Sequence, residues 1–106
     1  MFVGQFEHSI DEKNRIAIPS KFRRLFQGEV VVTKGLDGCL FLFPKAKWEK
    51  MATSIGQLPT TKSSARLYAR LLLASATEEK FDKQGRMVIQ GFLKKYAKLK
   101  GKVVFT

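Results

Sequence analysis

The stretch DEKNRIAIPSKFRR, residues 11–24, has a looser copy later in the chain, DKQGRMVIQGFLKK, residues 82–95. Each copy opens with an aspartate, reaches an arginine four residues on, continues through a short apolar alternation and ends in a basic run. Self-similarity at a fixed offset is the signature of a duplicated structural unit. We therefore expect the chain to contain one unit twice, each built as strand, polar loop, strand, short helix, strand.

The loop at the start of each copy has the composition of a turn between two strands. Asn14 and Gly85 occupy equivalent positions in DEKNR and DKQGR. Because Asn and Gly are the residues that best tolerate a left-handed backbone, the two loops are expected to share one turn geometry. Apolar residues at helical spacing then follow in each copy: Phe22, Leu25 and Phe26 in the first, and Phe92, Leu93, Tyr96 and Ala97 in the second.

The material between the copies occurs once. Residues 30–43, VVVTKGLDGCLFLF, predict a β-hairpin with Asp-Gly as its turn, in which Cys39 is expected to be a core strand residue. The sequence PKAKWEKMATSI predicts a helix that begins at Pro44 or Lys45 and packs through Trp48. A second helix is predicted in TTKSSARLYARLLLASA, with these residues available to pack inward: Ala65, Leu67, Tyr68, Leu71 and Leu72.

These patterns divide the chain into three parts of one compact domain. Residues 1–51 form the first repeat with its hairpin and helix, residues 52–76 a connecting helix, and residues 77–106 the second repeat. The second repeat stops where its own hairpin would begin, so we expect it to be truncated before its last hairpin strand. Its final strand would then be a sheet edge without a partner.

Charge is the strongest compositional signal. The chain of 106 residues carries 20 Lys and Arg against 9 Asp and Glu, a formal net charge of +11. A small domain this basic usually meets a polyanion, which favours nucleic acid as a partner. One cysteine and one histidine predict neither a disulfide nor a metal site. We find no catalytic set, and we expect no cofactor, no membrane span and no enzymatic activity.

The sequence resembles the MraZ family of bacterial transcriptional regulators, which are built from two AbrB-like (SpoVT-AbrB, swapped-hairpin) units. The segments that carry the resemblance are MFVGQFEHSIDEKNRIAIPSKFR, TKGLDGCLFLFP with WEK, and ASATEEKFDKQGRMVI. The family has an Asp-x-x-x-Arg loop in each half, here Asp11 to Arg15 and Asp82 to Arg86. Three departures stand out: Asn14 replaces the usual glycine, Ile89-Gln90 replaces a second Ile-Pro step, and the family's C-terminal hairpin and helix are missing.

The resemblance implies a β-rich α+β fold, in which the two repeats form a pseudo-two-fold swapped-hairpin β-barrel with helices packed outside. It also implies a cytoplasmic, nucleoid-associated regulator, mainly a repressor, that assembles as a homo-oligomer into a ring. Such a ring would bind short direct repeats of double-stranded DNA in the promoter of a cell-division and cell-wall gene cluster.

The candidate site lies in the two loops. Arginine suits DNA contact because its planar fork can bind guanine O6 and N7 together or clamp a phosphate, and a narrow β-hairpin can enter the major groove. The predicted DNA-binding residues are Arg15, Arg86, Lys13, Lys83, Asn14 and Gln84. Asp11 and Asp82 are expected to brace the loops by accepting backbone N–H bonds. The cations of the short helices are interpreted as solvated: Arg23, Arg24, Lys94 and Lys95.

Three alternatives remain open from the residues alone. The charge also permits a non-specific nucleic-acid-binding or RNA-binding structural protein, although aromatic side chains placed for single-stranded RNA are not evident. An antitoxin-like protein of the same fold would bind mainly another protein through an additional C-terminal segment. An isolated Asp–Arg surface pair without any DNA role would stabilise the fold by less than about 1 kcal/mol.

Overall fold

The computed structural model describes residues 6–35, 38–57, 63–98 and 102–105. The described elements, in chain order, are β1 (Phe6–Ser9), β2 (Arg15–Ala17), α1 (Ser20–Arg23), β3 (Glu29–Lys34), β4 (Leu40–Pro44), α2 (Lys45–Gly56), α3 (Ser63–Ala74), β5 (Thr77–Lys80), β6 (Arg86–Val88), α4 (Gly91–Tyr96) and β7 (Lys102–Phe105). Each repeat has the predicted order of strand, loop, strand, short helix and strand. The α+β class predicted from the sequence is confirmed.

Apart from the β3–β4 hairpin of the first repeat, the strands pair across the two repeats. β2 pairs antiparallel with β6, and the register is centred on Ile16 opposite Met87, two residues that are equivalent in the repeats. β3 pairs antiparallel with β5, and β1 pairs antiparallel with β7. These two ladders are counterparts. Glu29 pairs with Lys80 in one ladder, and their equivalents in the other repeat, Lys102 and Ser9, pair with each other in the second. The duplication therefore generates a pseudo-two-fold arrangement whose axis passes between Ile16 and Met87.

The strands form separate sheets in the described part of the chain. Two sheets have two strands each, β1–β7 and β2–β6, and the third has the order β4–β3–β5. The hydrogen-bonded ladders do not close into a barrel over these residues, so the predicted closed barrel is not observed. β3 has two neighbours, whereas its counterpart β7 has only β1 within the described residues, in accord with the predicted edge strand.

The core lies between the β2–β6 ribbon and the helices α1 and α4. Apolar residues alternate along each strand, and the same positions of both repeats are buried: Ile16 and Met87, Ile18 and Ile89, Phe22 and Leu93. Val30 and Val32 of β3 complete this buried apolar cluster. Since the pleat places alternate residues on opposite faces, burial of Ile16 and Met87 leaves their strand neighbours on the outer face of the ribbon.

Four apolar positions differ from the sequence-based expectation. Leu25 and Phe92 remain 47% and 50% exposed: Leu25 lies after α1 has ended at Arg23, and α4 buries Leu93 instead of Phe92. Leu67 of α3 is 65% exposed, so its predicted inward packing is wrong. Cys39 is also exposed and not a core strand residue, because β4 begins only at Leu40, after the hairpin turn.

The helices α2 and α3 pack on the three-stranded sheet. α2 begins at Lys45, directly after Pro44, as predicted, and Trp48 packs its ring 5.8 Å from that of Phe43 on β4. The end of α3 is joined to β3 by buried hydroxyls. Thr33 Oγ1 donates to the Leu72 carbonyl at 2.7 Å and lies 2.8 Å from Ser75 Oγ. These bonds satisfy carbonyls that a helix end leaves without partners.

Candidate nucleic-acid interface

The first loop, residues 11–15, is a closed turn that we call the first tip. The Asp11 carboxylate accepts the backbone N–H groups of Lys13 at 2.9 Å and Arg15 at 2.8 Å through Oδ1. The Asp11 N–H donates to the Arg15 carbonyl at 2.9 Å. Asn14 adopts the left-handed conformation, with φ of 60°. The turn therefore needs a short acceptor at its first position and a residue tolerant of positive φ at its fourth.

The second loop, residues 82–86, is the second tip and repeats this geometry. Asp82 Oδ1 accepts the N–H groups of Gln84 at 2.8 Å and Arg86 at 2.9 Å, and the Asp82 N–H donates to the Arg86 carbonyl at 2.8 Å. Gly85 has φ of 74°. The shared turn geometry predicted from the equivalence of Asn14 and Gly85 is confirmed. In both tips the aspartate makes the hydrogen bonds that a bracing role requires.

Each aspartate also orients the arginine of its own tip. Arg15 Nε donates to Asp11 Oδ2 at 2.8 Å, and Arg86 Nε donates to Asp82 Oδ2 at 2.9 Å. Among the described residues, the Nη groups of these two guanidinium ions make no further hydrogen bond to protein. The hydrogen bond to the aspartate therefore occupies Nε and leaves the two Nη groups. These are the pair that can bind guanine O6 and N7 or a phosphate.

Both arginines emerge from the same face of the β2–β6 ribbon. Arg15 lies opposite Val88, and Arg86 lies two residues before Val88 on the same strand. Directly opposed residues and residues two apart share a face of an antiparallel pair. Arg15 and Arg86 are thus diagonal neighbours, with Cα atoms about 7–8 Å apart. The buried residues Ile16 and Met87 occupy the other face, so the ribbon presents two guanidinium groups outward.

Hydrogen bonding keeps both carboxylates ionised. The backbone N–H of Arg15 is the main cause that lowers the pKa of Asp11. Burial opposes that effect, while the Arg15 side chain and the Lys13 backbone reinforce it. The pKa of Asp82 is lowered in the same way, first by the backbone N–H of Arg86. At neutral pH each tip therefore holds an ionised Asp–Arg pair whose charges offset each other, and the surrounding lysines give the candidate interface its positive charge.

The two tips are held by each other's repeat. The Ile18 N–H donates to the Gly85 carbonyl at 3.2 Å, and the equivalent Ile89 N–H donates to the Asn14 carbonyl at 2.8 Å. Lys94 Nζ of α4 donates to Asn14 Oδ1 at 3.0 Å. The structure therefore joins the tips into one surface, in which α4 of the second repeat supports the first tip.

The remaining predicted contact residues differ in their setting. Lys13, Lys83 and Gln84 are exposed at the tips, whereas Asn14 is half-buried and accepts the Lys94 bond. The sequence analysis missed the involvement of Lys94, which it treated as a solvated helix cation. The repeat alignment contained a signal, because a pseudo-two-fold arrangement can bring the helix of one unit to the loop of the other.

Other kinds of site were sought in the described part of the chain. No cluster of three or more His, Cys, Asp or Glu side chains is placed there to hold a metal ion. None of the helices within those ranges has the length and apolar character required to cross a membrane.

Comparison with known proteins assigns the family. The family model described as "MraZ protein, putative antitoxin-like" matches residues 1–71. A protein of Pediococcus pentosaceus named Transcriptional regulator MraZ is 45% identical over 98% of this chain and 73% of its own length. Proteins of the same name from Lactiplantibacillus plantarum and Natranaerobius thermophilus are 43% and 44% identical over 98% of this chain, and over 74% and 73% of their own lengths.

These relatives match nearly the whole chain and are named as transcriptional regulators. The chain belongs to the MraZ family. The resemblance expected from the sequence is confirmed, and so is the expectation that the chain is not an enzyme, since the relatives are named as transcriptional regulators.

Proposed function

We propose that this protein is a sequence-specific DNA-binding transcriptional regulator in which Arg15 and Arg86 contact double-stranded DNA. One observation carries the proposal: both arginines leave one face of a narrow two-stranded ribbon, and an aspartate holds each by Nε alone. A ribbon of this kind fits the major groove, and a guanidinium fixed at Nε is preorganised for two-point contact through its Nη groups. The net charge of +11 and the names of the relatives support the same partner.

The spacing of the arginines sets the size of the sequence that one chain reads. Two attachment points with Cα atoms about 7–8 Å apart are separated by roughly two base-pair steps of about 3.4 Å each. Such a short sequence gives little discrimination alone, so several chains must engage repeated sites at once for useful affinity. The proposal accordingly includes a homo-oligomer, ring-shaped as the family resemblance implies, bound to direct repeats in a promoter.

The finer parts of the proposal follow from family membership. The regulator acts mainly as a repressor of a cell-division and cell-wall gene cluster, in the cytoplasm and at the nucleoid. The exchange of strand partners between repeats supports a swapped-hairpin unit, and residues 1–51, 52–76 and 77–106 are its parts. The roles of Asp11 and Asp82 in this scheme are to brace the tips. Lys13, Lys83, Asn14 and Gln84 add contacts to phosphates or base edges.

The test begins with selection of duplexes from a random pool by the wild-type protein. The variants Arg15→Ala and Arg86→Ala are then measured against the selected duplex and a shuffled one, with Arg24→Ala as the control. Arg24 is exposed and lies outside both tips, so the control loses the same charge. We expect the tip variants to lose preference for the selected duplex while the control retains it. Unchanged preference in both tip variants would refute the proposal.

The net charge also supports a second candidate, a non-specific nucleic-acid-binding or RNA-binding structural protein. Under that alternative the selection returns no sequence, and single-stranded or double-stranded RNA competes as well as DNA does. Mass in solution, measured with and without the selected duplex, tests the assembly separately. A monomer under both conditions would contradict the homo-oligomer.

A further inference from the structure

A second guanidinium lies against the second tip. Gly85 is buried although it sits at a turn, and a Cβ at this position would come within 2.6 Å of Arg23 Cζ and 3.2 Å of Arg23 Cδ. The side chain that covers Gly85 therefore comes from α1, in the other repeat. Arg23 is half-buried, and within the ranges that the structure describes its guanidinium takes part in none of the ion pairs and donates to no protein acceptor.

The cation at the equivalent position of the second repeat, Lys94, does have a hydrogen-bond partner in the protein. Lys94 corresponds to Arg23, and Asn14 corresponds to Gly85. At the first tip, Lys94 donates to the Asn14 side chain at 3.0 Å. At the second tip, glycine offers no side-chain acceptor, and the larger guanidinium occupies the space that a side chain would take. The pairs Asn14–Lys94 and Gly85–Arg23 therefore occupy equivalent positions of the two tips but make different contacts.

We propose that Arg23 is part of the second tip and binds a phosphate of the DNA that Arg86 contacts, whereas Lys94 is a positioning residue of the first tip. The inference rests on the proposed function of the tips. A half-buried guanidinium with no acceptor in the described protein has most of its donors available to an external anion. Arg23 lies against the backbone of the tip at Gly85 and belongs to α1, not to the ribbon that carries Arg15 and Arg86. This position suits the wall of the groove, where the phosphates are.

The consequence is that the two tips of one chain are chemically unequal. The second tip presents two guanidinium groups, Arg86 and Arg23, while the first presents Arg15 and a lysine already bound to Asn14. A pseudo-two-fold reader with unequal tips has a direction along the duplex, so its preferred site need not be palindromic. This asymmetry depends on four residues and leaves the backbone pseudo-symmetry unchanged.

The test compares the salt dependence of binding to the selected duplex for Arg23→Met and Arg24→Met. The two arginines are adjacent, and both substitutions remove one charge. Loss of one phosphate contact lowers the slope of log K against log salt by about 0.9. The affinity ratio of wild type to Arg23→Met should therefore shrink about 3.5-fold between 50 and 200 mM salt. The ratio for Arg24→Met should change much less, and equal changes for the two variants would overturn the inference.

Three further variants extend the test and keep it interpretable if Arg23→Met unfolds. Gly85→Asn retains a residue that tolerates positive φ, as Asn14 does, but its side chain displaces Arg23. Gly85→Asn should lower the slope of log K against log salt as Arg23→Met does. Arg23→Lys, which keeps the positive charge, should retain most of the wild-type slope. Lys94→Met should leave the slope unchanged and reduce preference for the selected over the shuffled duplex; a lowered slope would contradict its assignment as a positioning residue.

The outcome is distinguishable from failure of the proposed function. If Arg15→Ala and Arg86→Ala leave sequence preference intact, the tips themselves are not the reading element. If those variants lose preference but Arg23→Met and Arg24→Met behave alike, the proposed function stands and only the assignment of Arg23 fails.

Discussion

Exchange of arginine for lysine at the tips separates charge from geometry. In Arg15→Lys the positive charge remains, but the Nε that donates to Asp11 at 2.8 Å and the two outer nitrogens are replaced by one ammonium group. A single ammonium cannot hold the aspartate and make a two-point contact with a base simultaneously. We expect the variant to keep general affinity for DNA and to lose discrimination between sequences.

The size of the expected loss of discrimination follows from the number of guanidinium nitrogens that do not bind the aspartate. Each tip arginine has two Nη groups available, which is sufficient for one bidentate base contact. One such contact contributes about 1–3 kcal/mol of discrimination, or about 5- to 150-fold in the ratio of dissociation constants. Arg15 and Arg86 are diagonal and lie about 7–8 Å apart, so the effects of Arg15→Lys and Arg86→Lys should be close to additive.

The assay measures dissociation constants for the selected and the shuffled duplex at three salt concentrations. Arg24→Lys serves as the matched control, because it makes the same chemical change outside the tips. The expected result is a reduced ratio for Arg15→Lys at every salt concentration, with a slope against salt close to that of the wild type. An unchanged ratio together with an unchanged slope would mean that Arg15 contributes only its charge, as in a phosphate contact, and would refute the base contact.

Three further predictions concern stability. Leu93→Ala should lower the free energy of unfolding by about 2–5 kcal/mol, because Leu93 is fully buried beneath the ribbon; a loss below 1 kcal/mol in urea denaturation would contradict its place in the core. Thr33→Val should cost about 1–3 kcal/mol by the same measurement, since it leaves the Leu72 carbonyl without its donor. The pKa values of Asp11 and Asp82 are lowered by folding, so their stabilisation is present above pH about 4, the unfolded value, and is lost as pH falls through the folded values. The double variant Asp11→Asn, Asp82→Asn should therefore show a shallower loss of urea stability below that pH than the wild type, and identical acid profiles would refute the linkage.

The tips could be predicted from the sequence because their geometry is local. An aspartate at the first position and Asn14 or Gly85 at the fourth are enough to define the turn, and both take the expected backbone conformation. The alternation around Ile16 and Met87 likewise predicted which residues are buried. Both signals depend on residues fewer than five positions apart.

The support of each tip could not be predicted, because it depends on residues far apart in the chain. Arg23 and Gly85 lie in different repeats, and so do Lys94 and Asn14. A basic residue on a short helix has the same local pattern whether it faces water or a loop. The exposure of Leu67 has a similar cause, since helical spacing identifies an apolar face but does not show how much of it the sheet covers.

The exchange of strand partners also constrains the order of folding. In the described part of the chain, the ladder partners of β1 and β2 are β7 and β6, which belong to the other repeat. A nascent chain that has been synthesised only as far as DEKNR therefore contains the first tip sequence but lacks β6, the strand that pairs with β2. Contacts between distant residues form slowly, because loop closure precedes the interactions that stabilise it. Neither arginine can therefore take its position on the outer face of the ribbon until β6 has been synthesised, and a chain that ends before β6 should lack the selective binding proposed for the tips.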